Sequence, residues 1–187
     1  MYKGKVSVRP CTPEYRDQLR AVHMATASEH ARSDETHGRF SLLMYCDEYL
    51  EHETVLILVD ENDQACGYIM CAEDYASWRK HMIPYAEEIQ KLGEPYAHRP
   101  YDAFRDYEAA SSEYPAHLHI DILEEYTGNH HGTMLMEALI DHLKENHVKG
   151  VCLGVAKANQ RAFGFYTKMG FRVLASDEGG AFMGLKL

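Results

Sequence analysis

At 187 residues, with 45% apolar and 26% charged side chains, the chain has the size and composition of one globular domain with a sizeable core, not of a disordered segment. Its formal net charge of −10 argues against a nucleic-acid partner and leans toward a cationic or amine-bearing one. No apolar run approaches the ~20 residues of a membrane span, and the first ten residues lack the apolar core of a signal peptide. No membrane partner and a cytoplasmic location are therefore expected. The cysteines Cys11, Cys46, Cys66, Cys71 and Cys152 are odd in number, form no Cys-x-x-Cys pair and sit mostly in apolar strand-like stretches, so they read as reduced core residues.

Lys5–Arg9 alternates like a strand, and Thr12-Pro13-Glu14 supplies an N-cap, a first-turn proline and an early acid for a helix carrying Tyr15, Leu19 and Val22 on one face. Residues 27–38 are polar and read as irregular; Phe40–Leu50 reads as a second helix. Thr54–Asp60 and Ala65–Ala72 form a hairpin across Glu61-Asn-Asp-Gln64. Residues 73–115 are a long excursion holding six of the thirteen tyrosines and the only tryptophan, a composition suited to packing on a sheet and to shaping a substrate pocket. Glu73, Asp74, Glu87 and Glu88 could attract an amine there, and equally suit solvated helix faces.

Ala116–Leu123 returns as a strand, followed by a helix over 132–146 with Leu135, Leu139 and Leu143 in line, a strand at Gly150–Val155, a helix over 159–169 and strands at Phe171–Ala175 and Ala181–Leu187. No internal repeat, low-complexity tract or linker divides the chain. The fold class is α/β (α+β): a mixed, mostly antiparallel central sheet flanked by helices in one domain, 1–187, with the ligand at the strand C-termini.

Two stretches carry candidate chemistry. Tyr126-Thr-Gly128-Asn-His-His-Gly132-Thr133 is a polar loop running into a helix, where free N–H groups and the helix dipole favour a phosphate. Lys157, Arg161 and Lys168 could help balance such charge, or be ordinary surface cations. His117, His119 and Asp121 alternate and so share one face of their strand. The His-x-His-x-Asp spacing is similar to that of metallo-β-lactamase-like hydrolases, but Ile122 stands where that pattern needs another His and no later His/Asp set follows. His130-His131 is a weaker pair still, and no metal is expected. Asp121 or His119 as a general base toward an ammonium group is one reading of this face; burial against the 73–115 excursion with paired polar groups is the other.

The order of elements and the motifs from His117 to Phe171 resemble the GNAT superfamily of N-acetyltransferases, over essentially the whole chain. Tyr49-Leu50, Gly67-Tyr68 and His117-Leu-His119-Ile-Asp121-Ile-Leu123 are similar to the branch that includes the acetyltransferase-like domain of O-GlcNAc hydrolases. The resemblance implies that the strand at 116–123 splays near Ile122 and Leu123, freeing backbone groups for the pantetheine of acetyl-CoA as cosubstrate. It implies a pyrophosphate cradle over Thr127, Gly128, Asn129, His130, His131, Gly132 and Thr133. Against the family's Gln/Arg-x-x-Gly-x-Gly/Ala pattern, Gly132 fits, Thr127 replaces the long polar residue and His130 replaces a glycine, a bulky residue where positive φ could be needed. It further implies that Asn159 contacts the cofactor, that Ala162 and Phe165 pack beside it, and that Tyr166 protonates the departing thiolate. The expected activity is direct acetyl transfer to a primary amine of a small molecule or peptide, with a GNAT-like pseudoenzyme or binding module of impaired cradle as the alternative. Homodimers are common in this superfamily, so a homodimer is left open.

Overall fold

The computed structural model describes residues 4–187; the leader reading over the first ten residues lies in part outside them. Strands β1 (Val6–Pro10), β2 (Thr54–Asp60), β3 (Ala65–Ala72), β4 (Ala116–Ile122), β5 (Gly150–Ala156), β6 (Arg172–Ser176) and β7 (Gly180–Lys186) form a sheet in the order β1-β2-β3-β4-β5-β7-β6. Every neighbouring pair is antiparallel except β4 and β5. The helices are α1 (Arg16–Thr26), α2 (Glu29–Ser33), α3 (Glu35–Tyr45), α4 (Asp47–His52), α5 (Tyr75–Lys91), α6 (Arg99–Ala110), α7 (His131–Glu145) and α8 (Gln160–Lys168). None is long and apolar enough to cross a membrane.

The β2–β3 hairpin has the expected boundaries because its turn is chemically specified. The Asp60 carboxylate accepts the N–H groups of Asn62 and Gln64, and Asp63 takes positive φ. All eight residues of β3 are buried, as a central strand covered on both faces requires. Tyr68, Met70 and Ala72 face a layer formed with α1, α3, α4, α5 and α6, where Leu19, Leu43, Tyr49, Trp78 and Phe104 pack. Ile69 and Cys71 face the opposite layer, closed by Leu135, Leu139 and Leu143 of α7 and Tyr166 of α8. The sheet's period of two and the helices' i, i+4 spacing thus agree in this second layer. All five cysteines are free.

The N-terminal half departs from the sequence expectations. Thr12 is extended but makes no side-chain cap; Pro13–Tyr15 forms a 3-10 turn and α1 starts only at Arg16. Residues 27–38 are not irregular. Ser28 Oγ accepts the Ala31 N–H at 3.2 Å and Asp34 Oδ1 the His37 N–H at 2.7 Å, so two caps in close succession start α2 and α3. The helix expected at Phe40–Leu50 is two helices, broken at Cys46, whose φ of −136° and ψ of −62° leave the helical region. The 73–115 excursion is chiefly α5 and α6, with Asp74 capping α5. From β4 onward every expected boundary lies within one residue of the observed one.

Candidate active site

The site forms where β4 and β5 part. Their parallel pairing comprises only Ala116 with Val151 and His117 with Cys152, although β4 continues to Ile122 and β5 to Ala156. The splay therefore opens just after His117, earlier than the expected Ile122 and Leu123. Hydrogen bonding alternates along a strand, and the Leu123 N–H is bonded to the Cys66 carbonyl at 3.0 Å on the β3 side. The N–H and C=O groups of Ile120 and Ile122 consequently face the gap. Leu123 is the exception among the expected cofactor residues: its carbonyl also accepts the Tyr126 N–H.

A cleft of about 1320 Å³ spans this gap. His119 and Asp121 from β4, Gly154–Ala156 from β5, and Tyr45, Tyr49, Trp78 and Tyr107 from α3, α4, α5 and α6 line it. The aromatic side chains of the excursion thus form one wall.

The three alternating residues of β4 share a face, and each has its own environment. His117 is 1% exposed, stacked on Tyr107 at 3.9 Å between centroids and set edge-on to Trp78 at 4.4 Å. Burial holds its pKa well below the ordinary range, so it is a neutral packing residue. His119 Nε2 lies 3.2 Å from the Tyr49 hydroxyl, and burial, with His23 nearby, lowers its pKa to about 4. Asp121 accepts a 2.5 Å hydrogen bond from the Tyr68 hydroxyl. Desolvation raises its pKa to about 6, with the Tyr68 and Thr26 hydroxyls pulling it down. Their ligand atoms do not converge on a common metal position.

Behind Asp121 runs a chain that the sequence did not reveal. Because Tyr68 spends its proton on Asp121, its oxygen must accept from His23 Nδ1–H, 2.8 Å away. His23 Nε2 is then the acceptor for the Ser41 hydroxyl at 2.9 Å. Desolvation lowers the His23 pKa to about 4, consistent with this neutral tautomer. In the sequence Tyr68 stands out only beside Gly67; its position opposite Asp121 depends on the β3–β4 register, which the long excursion hides.

Across the gap, α7 and α8 supply the second half. Gly128 has φ of 90° and His130 φ of 62°, so the loop does need a left-handed residue at 130, and a histidine occupies it as the residue preceding α7. Thr127 Oγ1 turns back to the Glu124 carbonyl at 2.7 Å, and His131 Nδ1–H donates to the Tyr126 carbonyl at 2.7 Å, which ties down the loop and separates His131 from any pairing with His130. A Cβ on Gly132 would sit in ordinary contact with the Phe165 ring, 3.4 Å away, and with Ile122 Cδ1 at 3.7 Å, so the glycine leaves these two side chains uncovered at the splayed edge. Glu124, Glu125, Thr127 and Arg161 line a shallow depression beside the loop; Arg161 is the expected cation found there, whereas the charge of Lys157 is felt at Asp177.

Asn159 Oδ1 accepts the Ala162 N–H at 3.0 Å and so caps α8. The helix ends at Gly170, φ 93°, with the Phe171 N–H on the Tyr166 carbonyl. Ala162 and Phe165 are half-buried against the second layer. Tyr166 is buried outside the cleft lining; burial and the charge of Asp121 raise its pKa, keeping the phenol protonated. The gap is thus bordered by the Asp121 carboxylate and the strand amides of Ile120 and Ile122, with the protonated Tyr166 phenol close enough to feel the Asp121 charge.

The family model described as "Acetyltransferase (GNAT) family" matches residues 16–171. Among solved structures, the crystal structure of SsHAT superposes with a TM-score of 0.82 at 24% identity, covering 97% of this chain and 98% of that one. The PaiA N-acetyltransferase from Thermoplasma acidophilum, in complex with coenzyme A, gives 0.66 at 17% identity over 98% and 99%. An agmatine N-acetyltransferase gives 0.68 at 13% over 97% and 99%.

Proposed function

Because the chain belongs to the GNAT acetyltransferase family, we propose that it transfers the acetyl group of acetyl-CoA directly to a primary amine of a small molecule or peptide. The observation that carries this reading is the gap itself: backbone groups of Ile120 and Ile122 open onto it, and Asp121 lies in a cleft on its α1 side. The residues fit the cosubstrate, since Gly132 leaves the flank of Ile122 and Phe165 accessible and α7 offers its N-terminal N–H groups. A neighbouring fold carrying coenzyme A and another acting on agmatine support the same reading.

In this mechanism Asp121, ionised above about pH 6, accepts a proton from the incoming ammonium group, directly or through water. The free amine attacks the thioester carbonyl carbon and strand N–H groups stabilise the developing oxyanion; the C–S bond then breaks as Tyr166 donates its phenolic proton to the departing sulfur, and the second proton released by the amide nitrogen restores the phenol through solvent. His119, whose conjugate acid falls to about 4, is a weaker base than Asp121 and instead shapes the cleft with Tyr49. Ser41, His23 and Tyr68 fix the Asp121 carboxylate. The 73–115 excursion supplies the acceptor wall, where Tyr107 and Tyr114 suit a cation by cation–π contact and the buried Trp78 backs Tyr107. The narrower likeness to the acetyltransferase-like domain of O-GlcNAc hydrolases rests on Tyr49-Leu50, Gly67-Tyr68 and His117–Leu123, of which Tyr49, His119 and Asp121 line this cleft.

A second reading, a binding module with an impaired cradle, draws on Thr127 turning onto Glu124 and on His130 in the left-handed region. Calorimetric titration with acetyl-CoA and with a pantetheine-only analogue separates the two. The transferase reading expects tighter binding of the intact cosubstrate and release of free thiol with an amine panel; equal or absent binding of both favours the module.

A further inference from the structure

Outside the cleft, one cluster of side chains has no explanation in acetyl transfer. Glu48 on α4 has a side chain that is 0% exposed, and neither of its carboxylate oxygens has a hydrogen-bond partner. No Lys or Arg pairs with it among the described residues; its charged neighbours are Glu53 and Glu51. The Trp78 indole N–H faces it and favours the charged form, but too loosely to close a hydrogen bond, which leaves both groups unpartnered. A buried carboxylate with nothing to neutralise it is among the most costly arrangements a core can contain.

What it faces is ligand chemistry. Glu53, immediately after α4, and His81 of α5 place their ligand atoms with those of Glu48, all within 4.8 Å of one another. His81 Nδ1 lies 3.0 Å from Glu53 Oε1 and 4.0 Å from Glu48 Oε1. A first-row divalent cation bound at ~2.0–2.2 Å separates its ligands by about 3–3.5 Å, which small side-chain rotations reach from here. Two carboxylates and an imidazole balance a dication and leave a position for water, a donor set suited to Zn²⁺. His52 stacks on His81 at 4.6 Å and 26°, orienting the ring, and the side chains of His52 and His81 are 39% and 37% exposed, so an ion can reach the cluster from solvent.

We propose that Glu48, Glu53 and His81 form a divalent-cation site, best suited to Zn²⁺, that ties α4 to α5. Tyr49 and Trp78, neighbours of the cluster on the same two helices, line the cleft, so the ion would brace the acceptor wall from behind. The role is structural and independent of acetyl transfer.

The test is titration of chelator-treated full-length protein with Zn²⁺ by calorimetry, with Co²⁺ absorption to report coordination. One ion per chain, a higher melting temperature with Zn²⁺, and at least ~100-fold weaker binding in both Glu48→Gln and His81→Ala are expected. His81 is partly exposed, so His81→Ala keeps the test valid should Glu48→Gln fail to fold. No uptake by the wild type, or uptake of equal affinity in the folded variants, overturns the proposal: the first outcome would leave Glu48 and Glu53 as a proton-sharing acid pair, the second would place the ion on others of the twelve histidines.

Discussion

Replacing Tyr68 by Phe deletes one hydroxyl that serves Asp121 on one side and His23 on the other. A hydrogen bond to a charged group contributes about 1.5–3 kcal/mol, and ~1.4 kcal/mol corresponds to one pH unit, so losing it raises the Asp121 pKa by about 1–2 from about 6. The Thr26 hydroxyl still favours the carboxylate, while His23, His119 and Tyr166 face it uncharged near neutrality. Since the ionised form is the base, activity rises with pH through this pKa. The ionised fraction at pH 7 falls from about nine-tenths to between about a half and a tenth, slowing the reaction there ~2–10-fold, with the rates converging toward pH 9. The assay is the pH dependence of kcat/KM from pH 5 to 9 for wild type and Tyr68→Phe, alongside a melting curve, because the stranded His23 N–H costs about 1–3 kcal/mol of stability. An acidic limb that stays in place, or moves to lower pH, refutes the assignment of Asp121 as the base.

Tyr166→Phe lowers kcat ~10²-fold or more with little change in KM for acetyl-CoA, as steady-state kinetics will show, because the lost proton matters only as the thiolate leaves. His130→Gly relieves the left-handed backbone and tightens acetyl-CoA binding, read by calorimetry, while changing the melting temperature by the equivalent of about 1 kcal/mol or less. Gly150→Ala places a Cβ 2.7 Å from the Glu113 carbonyl oxygen and 3.0 Å from that of Leu185, lowering stability by about 1–3 kcal/mol in denaturant titration. The folded-state pKa of His23, about 4 against 6.5 for the free group, means that the unfolded chain binds its proton first. Stability is therefore intact above pH 6.5 and falls between 6.5 and 4, by on the order of 3 kcal/mol from this residue; His23→Gln, measured by denaturant titration at several pH values, flattens that slope.

The C-terminal half was legible because its signals are local. Leu135, Leu139 and Leu143 mark one face of α7, Asn159 caps α8 and Gly170 ends it, each within a turn of the residues it organises. The N-terminal helices are hidden where short-range caps compete: Ser28 and Asp34 are ordinary loop residues by type, and only their bonds to Ala31 and His37 turn a polar stretch into two helices. At the site, alternation put His119 and Asp121 on one face, and the resemblance pointed to Tyr166. Alternation could not distinguish a histidine packed in the core from one lining the cleft: the stacking of His117 on Tyr107 joins residues on β4 and α6. Nor could it find the Ser41–His23–Tyr68 chain, which joins α3, α1 and β3 through tertiary contacts alone. The His130 substitution was visible in sequence, but its positive φ belongs to the folded loop.

Acetyl transfer with Asp121 as base can be tested in a single incubation. The most direct measurement incubates the protein with isotopically labelled acetyl-CoA and a library of amines, amino sugars and peptides, and follows labelled product by mass spectrometry for wild type and Asp121→Asn. An acetylated amine that forms with the wild type and slows ~10²-fold or more with Asp121→Asn is the predicted result. Binding of acetyl-CoA with no amine acetylated, or transfer indifferent to the substitution, would contradict it.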